Sequence, residues 1–360
     1  MALVKSLVKI TSHAMLLLGF AINAAHSAPT PARSLLALEK DTKLLDIIDP
    51  NSLKILAKVP VGPDPHEVIA SADGKTAYVS DYIGRTEIHH ILTVIDLVAQ
   101  KPLAPIDLGA LEGPHGLDFI GGKLYFTAET AKAIGRYDPA TRKIDWILGT
   151  GQDRTHMIWV NKSLDKIVTT NVSSGTVSII EQSRLSGPLI FGGQKSWEIT
   201  DVPVGRGSEG FDVSPDRTQI WTASAQDNIV TIIDLAAKKN IATIPISVRG
   251  ANRLQFTPDG KYVLISGLGA MPGTEATASS PDAVVIDVAT RKEVKQLNLG
   301  GGSAGILMDP LGDRAFVAVS GGNKVAVVSL KDFSVTGYIG PLAQPDGMAW
   351  ALRQIGRAHV

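Results

Sequence analysis

Three observations predict an all-β chain of seven blades, each of four antiparallel strands, closed into a β-propeller. The first is a repeat. A β-rich run ending in an acidic or polar residue recurs as LLDIID to Asp49, LTVID to Asp96, IGRYD to Asp138, TVSIIE to Glu181, VTIID to Asp234, AVVID to Asp287 and VAVVS to Ser329. The spacings of 47, 42, 43, 53, 53 and 42 residues suit a four-stranded unit, whereas a β-helix or leucine-rich array needs a shorter period. The second is punctuation by turn signals such as Asp73-Gly74, Gly121-Gly122, Pro215-Asp216 and Pro258-Asp259-Gly260, which supply hairpin geometry. The third is composition: 35 glycines, 20 prolines and only 19 aromatic residues in 360 describe a turn-rich chain.

The elements follow in order. A short strand enters each unit from a Gly/Pro-rich loop. A β-branched or aromatic run comes next: 77–80, 124–127, 166–170, 219–223, 261–266 and 315–320. The repeated run ending in the acidic or polar residue is the third strand, and stretches such as KILAKVPV and KNIATIPI supply the fourth. Asp49, Asp96, Asp138, Asp234 and Asp287 repeat at one turn and are expected to be turn residues, not catalytic acids. Seven inner strands can be counted, the last being 345–351, but only six have complete partners after them. SLLALEK, KLLDIID and KILAKVPV at the N-terminal end are therefore expected to complete the seventh blade and remove the free edges. Trp146, Trp159, Trp221 and Trp350 read as packing between blades, and Trp197 as part of a longer outer loop.

Both ends of the chain read as lying outside the fold. Residues 1–27 carry Lys5, Lys9 and a 12-residue uncharged, mostly apolar run, Ala14 to Ala25, the pattern of a cleaved secretory signal with no membrane anchor. Residues 354–360 match the translation of a widely used sequencing adapter, so a single propeller over 28–353, exported to the periplasm, is expected. The absence of cysteine excludes disulfides, thiolate zinc sites, iron–sulfur clusters and c-type haem attachment. Equal numbers of acidic and basic residues, 35 each, provide no excess charge for binding nucleic acid. A monomer is expected.

The units VPVG…SADGKTAYVSD…LTVID and TPDGKYVLIS…AVVID resemble the YVTN-repeat, YncE-like family of exported seven-bladed propellers, over roughly residues 34–353. The resemblance implies the fold and leaves the function open, because related propellers include lactonase-type hydrolases and the haem- and copper-enzyme propellers of nitrogen-oxide reduction.

Antiparallel connectivity places one residue per blade where each inner strand starts at the channel mouth: His66, His115, His156, Glu209, Asn252, Ala304 and Asp346. Loops on the same face add Asp81, His89, His90, Glu129 and Asn171. Two insertions, Asp81–Ile91 and Leu268–Asp282, read as loops framing that face. Imidazoles and carboxylates converging there suit a divalent transition metal, with His66, His115 and His156 as ligands, or a polar small molecule. A histidine that only satisfies a neighbouring backbone group is the bland alternative. There is no P-loop. The expected function is thus a periplasmic module that binds a small molecule, metal or partner protein through the top of its channel. Two alternatives remain open: a metal-dependent lactonase-type hydrolase using Glu209, Asn252 and Asp346, and an accessory protein of a periplasmic redox system.

Overall fold

The computed structural model describes residues 28–84, 87–184, 195–269 and 280–353. The proposed signal and adapter segments lie outside them, as does most of the second insertion. Seven antiparallel sheets form seven blades, and each inner strand opens a blade. Blades 1 to 6 begin with Pro65–Ala70, Pro114–Ile120, Thr155–Val160, Ser208–Val213, Ala251–Phe256 and Ile306–Met308. Blade 7 pairs the C-terminal strand Pro345–Leu352 with Arg33–Glu39, followed by Leu44–Asp49 and Lys54–Pro60. Leu35 faces Trp350 and Ala37 faces Met348 across that closing ladder.

Alternation along the strands builds the core. Leu35 and Ala37 pack into the interface with blade 6, whereas Leu36 and Leu38 pack into the interface with blade 1. A period of two thus buries both faces of a blade, one against each neighbour. Seven apolar clusters result, one at each of the seven blade interfaces. Trp221 is fully buried between blades 4 and 5, and Trp350 packs on Phe316 between blades 6 and 7. Trp146 meets Trp197 between blades 2 and 3. Trp197 therefore belongs to the outer strand Lys195–Pro203, paired with Gln182, and not to a loop. The repeated aspartates are turn residues: Asp96 accepts the amides of Val98 and Ala99 at 2.9 Å, and Asp234 those of Ala236 and Ala237.

Two details depart from a regular repeat. The expected loop 81–91 is mostly ladder, since Asp81 pairs with Ile91 and Ile83 with Ile88, extending the hairpin of blade 1 beyond its neighbours. The outer strand of that blade is split into Lys101–Pro102 and Ile106–Asp107, with proline at 102 and 105 limiting the ladder's donors.

The start of the inner strands positions everything that follows. In six blades the register slips by one residue there, so that two consecutive residues face one partner. The six bulged pairs are His66-Glu67, His115-Gly116, His156-Met157, Glu209-Gly210, Asn252-Arg253 and Asp346-Gly347. A bulge re-aims its side chains and tightens the local twist. Hydroxyls brace it. Thr127 accepts the amide of Gly116 at 2.8 Å and donates to the carbonyl of His156 in the next blade at 2.6 Å. Thr170 does the same for Met157 and Glu209, and Ser266 for Arg253 and Ala304. At Gly116 a methyl group would overlap the carbonyl oxygen of His156 and the Met157 Cα.

Two outcomes test this architecture. Deleting residues 28–60 should abolish folding, because it leaves one inner strand without partners; a stable truncation with an unchanged β-type circular dichroism spectrum overturns the closure. Gly116→Ala should destabilise by about 1–3 kcal/mol through overpacking, whereas Gly149→Ala, which meets nothing within 4 Å, should be close to neutral in the same denaturant titration.

Candidate functional site

Each bulge is entered through a residue with left-handed backbone two positions earlier. These are Asp64, Gly113, Arg154, Gly207, Gly250 and Gln344, with φ of 51° to 74°. Three are not glycine, and an L-side chain in that region costs about 1 kcal/mol. The turn swings the next strand inward and delivers its first side chain to the channel mouth. There, a cavity of about 280 Å³ is lined by all seven predicted mouth residues: His66, His115, His156, Glu209, Asn252, Ala304 and Asp346.

The other predicted residues separate. Glu129 forms the wall behind His156. Asp81 is buried within blade 1, where it accepts the Thr93 hydroxyl at 2.8 Å and burial pushes its carboxyl up to about 7. Asn171 is buried in blade 3 and donates to Thr176 and Ser178. His89 lies 3.8 Å from Asp64, and His90 pairs with Asp107 on the outside at 2.9 Å. None of these four lines the cavity. For Asp81, His89 and His90 the physical reason is the extended hairpin of blade 1, which makes them part of a ladder whose side chains point into the blade or away from the axis. Asn171 is instead held in the blade 3 ladder opposite Thr176.

The structure adds Lys40, Tyr82, Arg154, Arg253, Leu268, Ser320 and Gln344 to the lining. Arg253 and its partner Glu67 are second members of bulges, so strict alternation would have turned them away from the channel. Arg253 donates to Glu67 across the channel at 2.5 Å and closes the floor of the cavity. Lys40 comes from the N-terminal segment that completes blade 7. Its Nζ is 2.8 Å from His66 Nε2 and 3.2 Å from Asp346.

The histidines are not equivalent. His66 is satisfied on both nitrogens, with Nδ1–H donating to the Asp64 carbonyl at 3.1 Å and Nε2 accepting from Lys40. Burial, helped by the Lys40 charge, pulls it down to about 4. His115 is 1% exposed, and its Nδ1 has no hydrogen-bond partner among the described residues. Burial and then the adjoining His156 hold it well below the ordinary histidine value. His156 stacks on His115 with ring centroids 3.7 Å apart. Its Nδ1 contacts Glu129 Oε1, and its Nε2 lies 2.8 Å from Glu209 Oε2. Burial would lower His156 as well, but Glu209 and Glu129 outweigh it and raise its pKa. Glu209 falls to about 2, because His156 and Arg154 more than offset its burial. Glu129 also accepts from the Tyr82 hydroxyl and, at 3.2 Å, from Arg154 Nε. Tyr82 in turn packs edge-on against His66 and His115.

The expected titration follows from these signs. The imidazoles of His66 and His115 should stay neutral as pH falls through about 6.5, where an unperturbed histidine charges, while His156 should hold its proton above that value. Histidine ring shifts measured by NMR against pH check this; a His66 that titrates at the ordinary value contradicts the Lys40–His66–Asp64 arrangement.

No family model matches the chain, and no curated protein sequence matches it. Solved structures do, 1552 chains in all, a breadth that indicates fold and no single activity. A functionally unknown protein from Desulfotomaculum acetoxidans is 13% identical with a TM-score of 0.64, covering 89% of this chain and 99% of that one. A 6-phosphogluconolactonase candidate from Bacteroides uniformis is 13% identical with a TM-score of 0.67, covering 88% and 99%. Hydrazine synthase from Kuenenia stuttgartiensis is 18% identical with a TM-score of 0.59, covering 74% and 77%. At these identities the likeness is one of fold: a seven-bladed β-propeller.

Proposed function

We propose that the protein is a periplasmic, YncE-like binding module whose channel mouth takes a small anionic organic molecule, such as a carboxylate. One observation carries the reading. Four side chains that bear positive charge, Lys40, Arg154, His156 and Arg253, line the cavity against two carboxylates, Glu209 and Asp346. The balancing Glu67 and Glu129 sit beneath. An anion entering the cavity meets cations already held in place, so little is lost in ordering them. Arg154 is the most accessible of the four, with 41% of its side chain exposed. Asn252, Ser320 and Gln344 supply neutral donors and acceptors for orientation, as polar ligand sites commonly do.

The lactonase reading draws less support. Its oxygen donors are engaged: Glu209 faces His156, Asp346 faces Lys40, and the side-chain oxygen of Asn252 is 3.3 Å from Arg253. A calcium ion prefers oxygen ligands free of such cations.

Calorimetry with succinate, malate and gluconate, each against its amide, tests the proposal. Binding should favour the acids and weaken with salt, and Arg154→Gln should lower affinity by roughly tenfold, about 1.4 kcal/mol. Equal affinity for acids and amides, or indifference to Arg154→Gln, overturns it.

A further inference from the structure

We infer that His115, Glu129 and His156 form a binding site for a first-row divalent metal ion, zinc in chemical type, with an open coordination position facing the channel mouth. The set is not the trio of histidines expected from the sequence: Glu129 takes the place of His66.

One ligand atom from each of His115, Glu129 and His156 lies within 4.8 Å of the other two, and all three residues are buried. Two imidazoles and a carboxylate are a common catalytic or binding set for zinc, whose ligand atoms stand about 3.3 Å apart in a tetrahedron of 2.0–2.1 Å bonds. The rings of His115 and His156 lie with centroids 3.7 Å apart and tilted by 30°, which keeps the two imidazoles on one side of the site.

The second observation concerns an unmade bond. His115 Nδ1 is buried without a hydrogen-bond partner among the described residues. An orphaned buried polar atom costs about 1–3 kcal/mol. One such atom, in a ring stacked on His156 and beside Glu129, is an arrangement that a cation would satisfy. Outer-shell groups are in place as well. Arg154 and Tyr82 occupy Glu129 Oε2, leaving Oε1 on the His156 side. Glu209 stands at the other nitrogen of His156, as carboxylates commonly do behind metal-bound histidine. His66 is excluded because Lys40 and the Asp64 carbonyl use both of its nitrogens. The cavity in front of His115 and His156 leaves room for water or another oxygen donor at the open position.

The ion would displace the proton that His156 holds between Glu129 and Glu209, and because it is tested alone the inference does not depend on the organic anion. The experiment titrates untagged, chelator-stripped protein with Co²⁺, followed by visible absorption, and then competes the ion off with Zn²⁺. Expected are one ion per chain, ligand-field bands of a four- or five-coordinate ion, and displacement by zinc. His115→Ala and Glu129→Gln should each weaken binding by at least about tenfold, whereas His66→Ala should leave it unchanged. His115 Nδ1 makes no hydrogen bond, so His115→Ala should fold and keep the test valid even where Glu129→Gln does not; thermal melts verify this. Absence of binding, full binding in His115→Ala, or loss of binding in His66→Ala overturns the assignment. The last result would return the site to the three histidines.

Discussion

The β-bulge at the head of six of the seven inner strands is the constraint on which the rest of the molecule depends. Seven strands must converge on one axis without their backbones colliding, and their first side chains must turn into a channel. The bulge does both. It inserts one extra residue, and where that residue is glycine (116, 210 and 347) the next blade's carbonyl can approach to a distance no Cβ would permit. Thr127, Thr170 and Ser266 then tie the bulge to the neighbouring blade through paired hydrogen bonds. Adjacent blades are thereby joined by polar contacts at the axis and by apolar clusters farther out. Removing the hydroxyls would leave bulge amides buried and unpaired, a cost comparable to that of a lost hydrogen bond.

The mouth built in this way gathers charges that would be unfavourable in isolation. Burial favours the neutral form of every group there, and only pairing holds some of them ionised. His66 and His115 yield to burial and become neutral, whereas His156 resists because two carboxylates flank it. Arg253 is ionised beneath the site through Glu67. The result is a pre-arranged set of donors and acceptors in which few groups need to move. Rigidity of this kind is what a binding site on a propeller gains from being placed on strand ends and not on loops.

The same construction explains why structural likeness leaves function open. Proteins named for unrelated chemistry share the ring, because the apolar interfaces and turn aspartates make no reference to what sits at the axis. Function resides in roughly one or two residues per blade.

Local pattern determined much of this protein. Turn signals and period-two burial act over a few residues, so blade number, the order of strands and the completion of blade 7 by residues 34–60 could be read directly. The seven mouth residues could also be read, since each begins an inner strand. Tertiary structure decided the rest. Glu67 and Arg253 enter the channel only because a bulge breaks alternation by one residue, which no pattern of apolar letters marks. Lys40 reaches His66 because ring closure brings the two ends of the chain together. Asp81 and Asn171 left the predicted site because their strands run on into a ladder that buries them. Protonation was decided last of all: three histidines in equivalent positions differ because desolvation and neighbouring charge depend on what packs around each ring, and that is a property of the assembled fold.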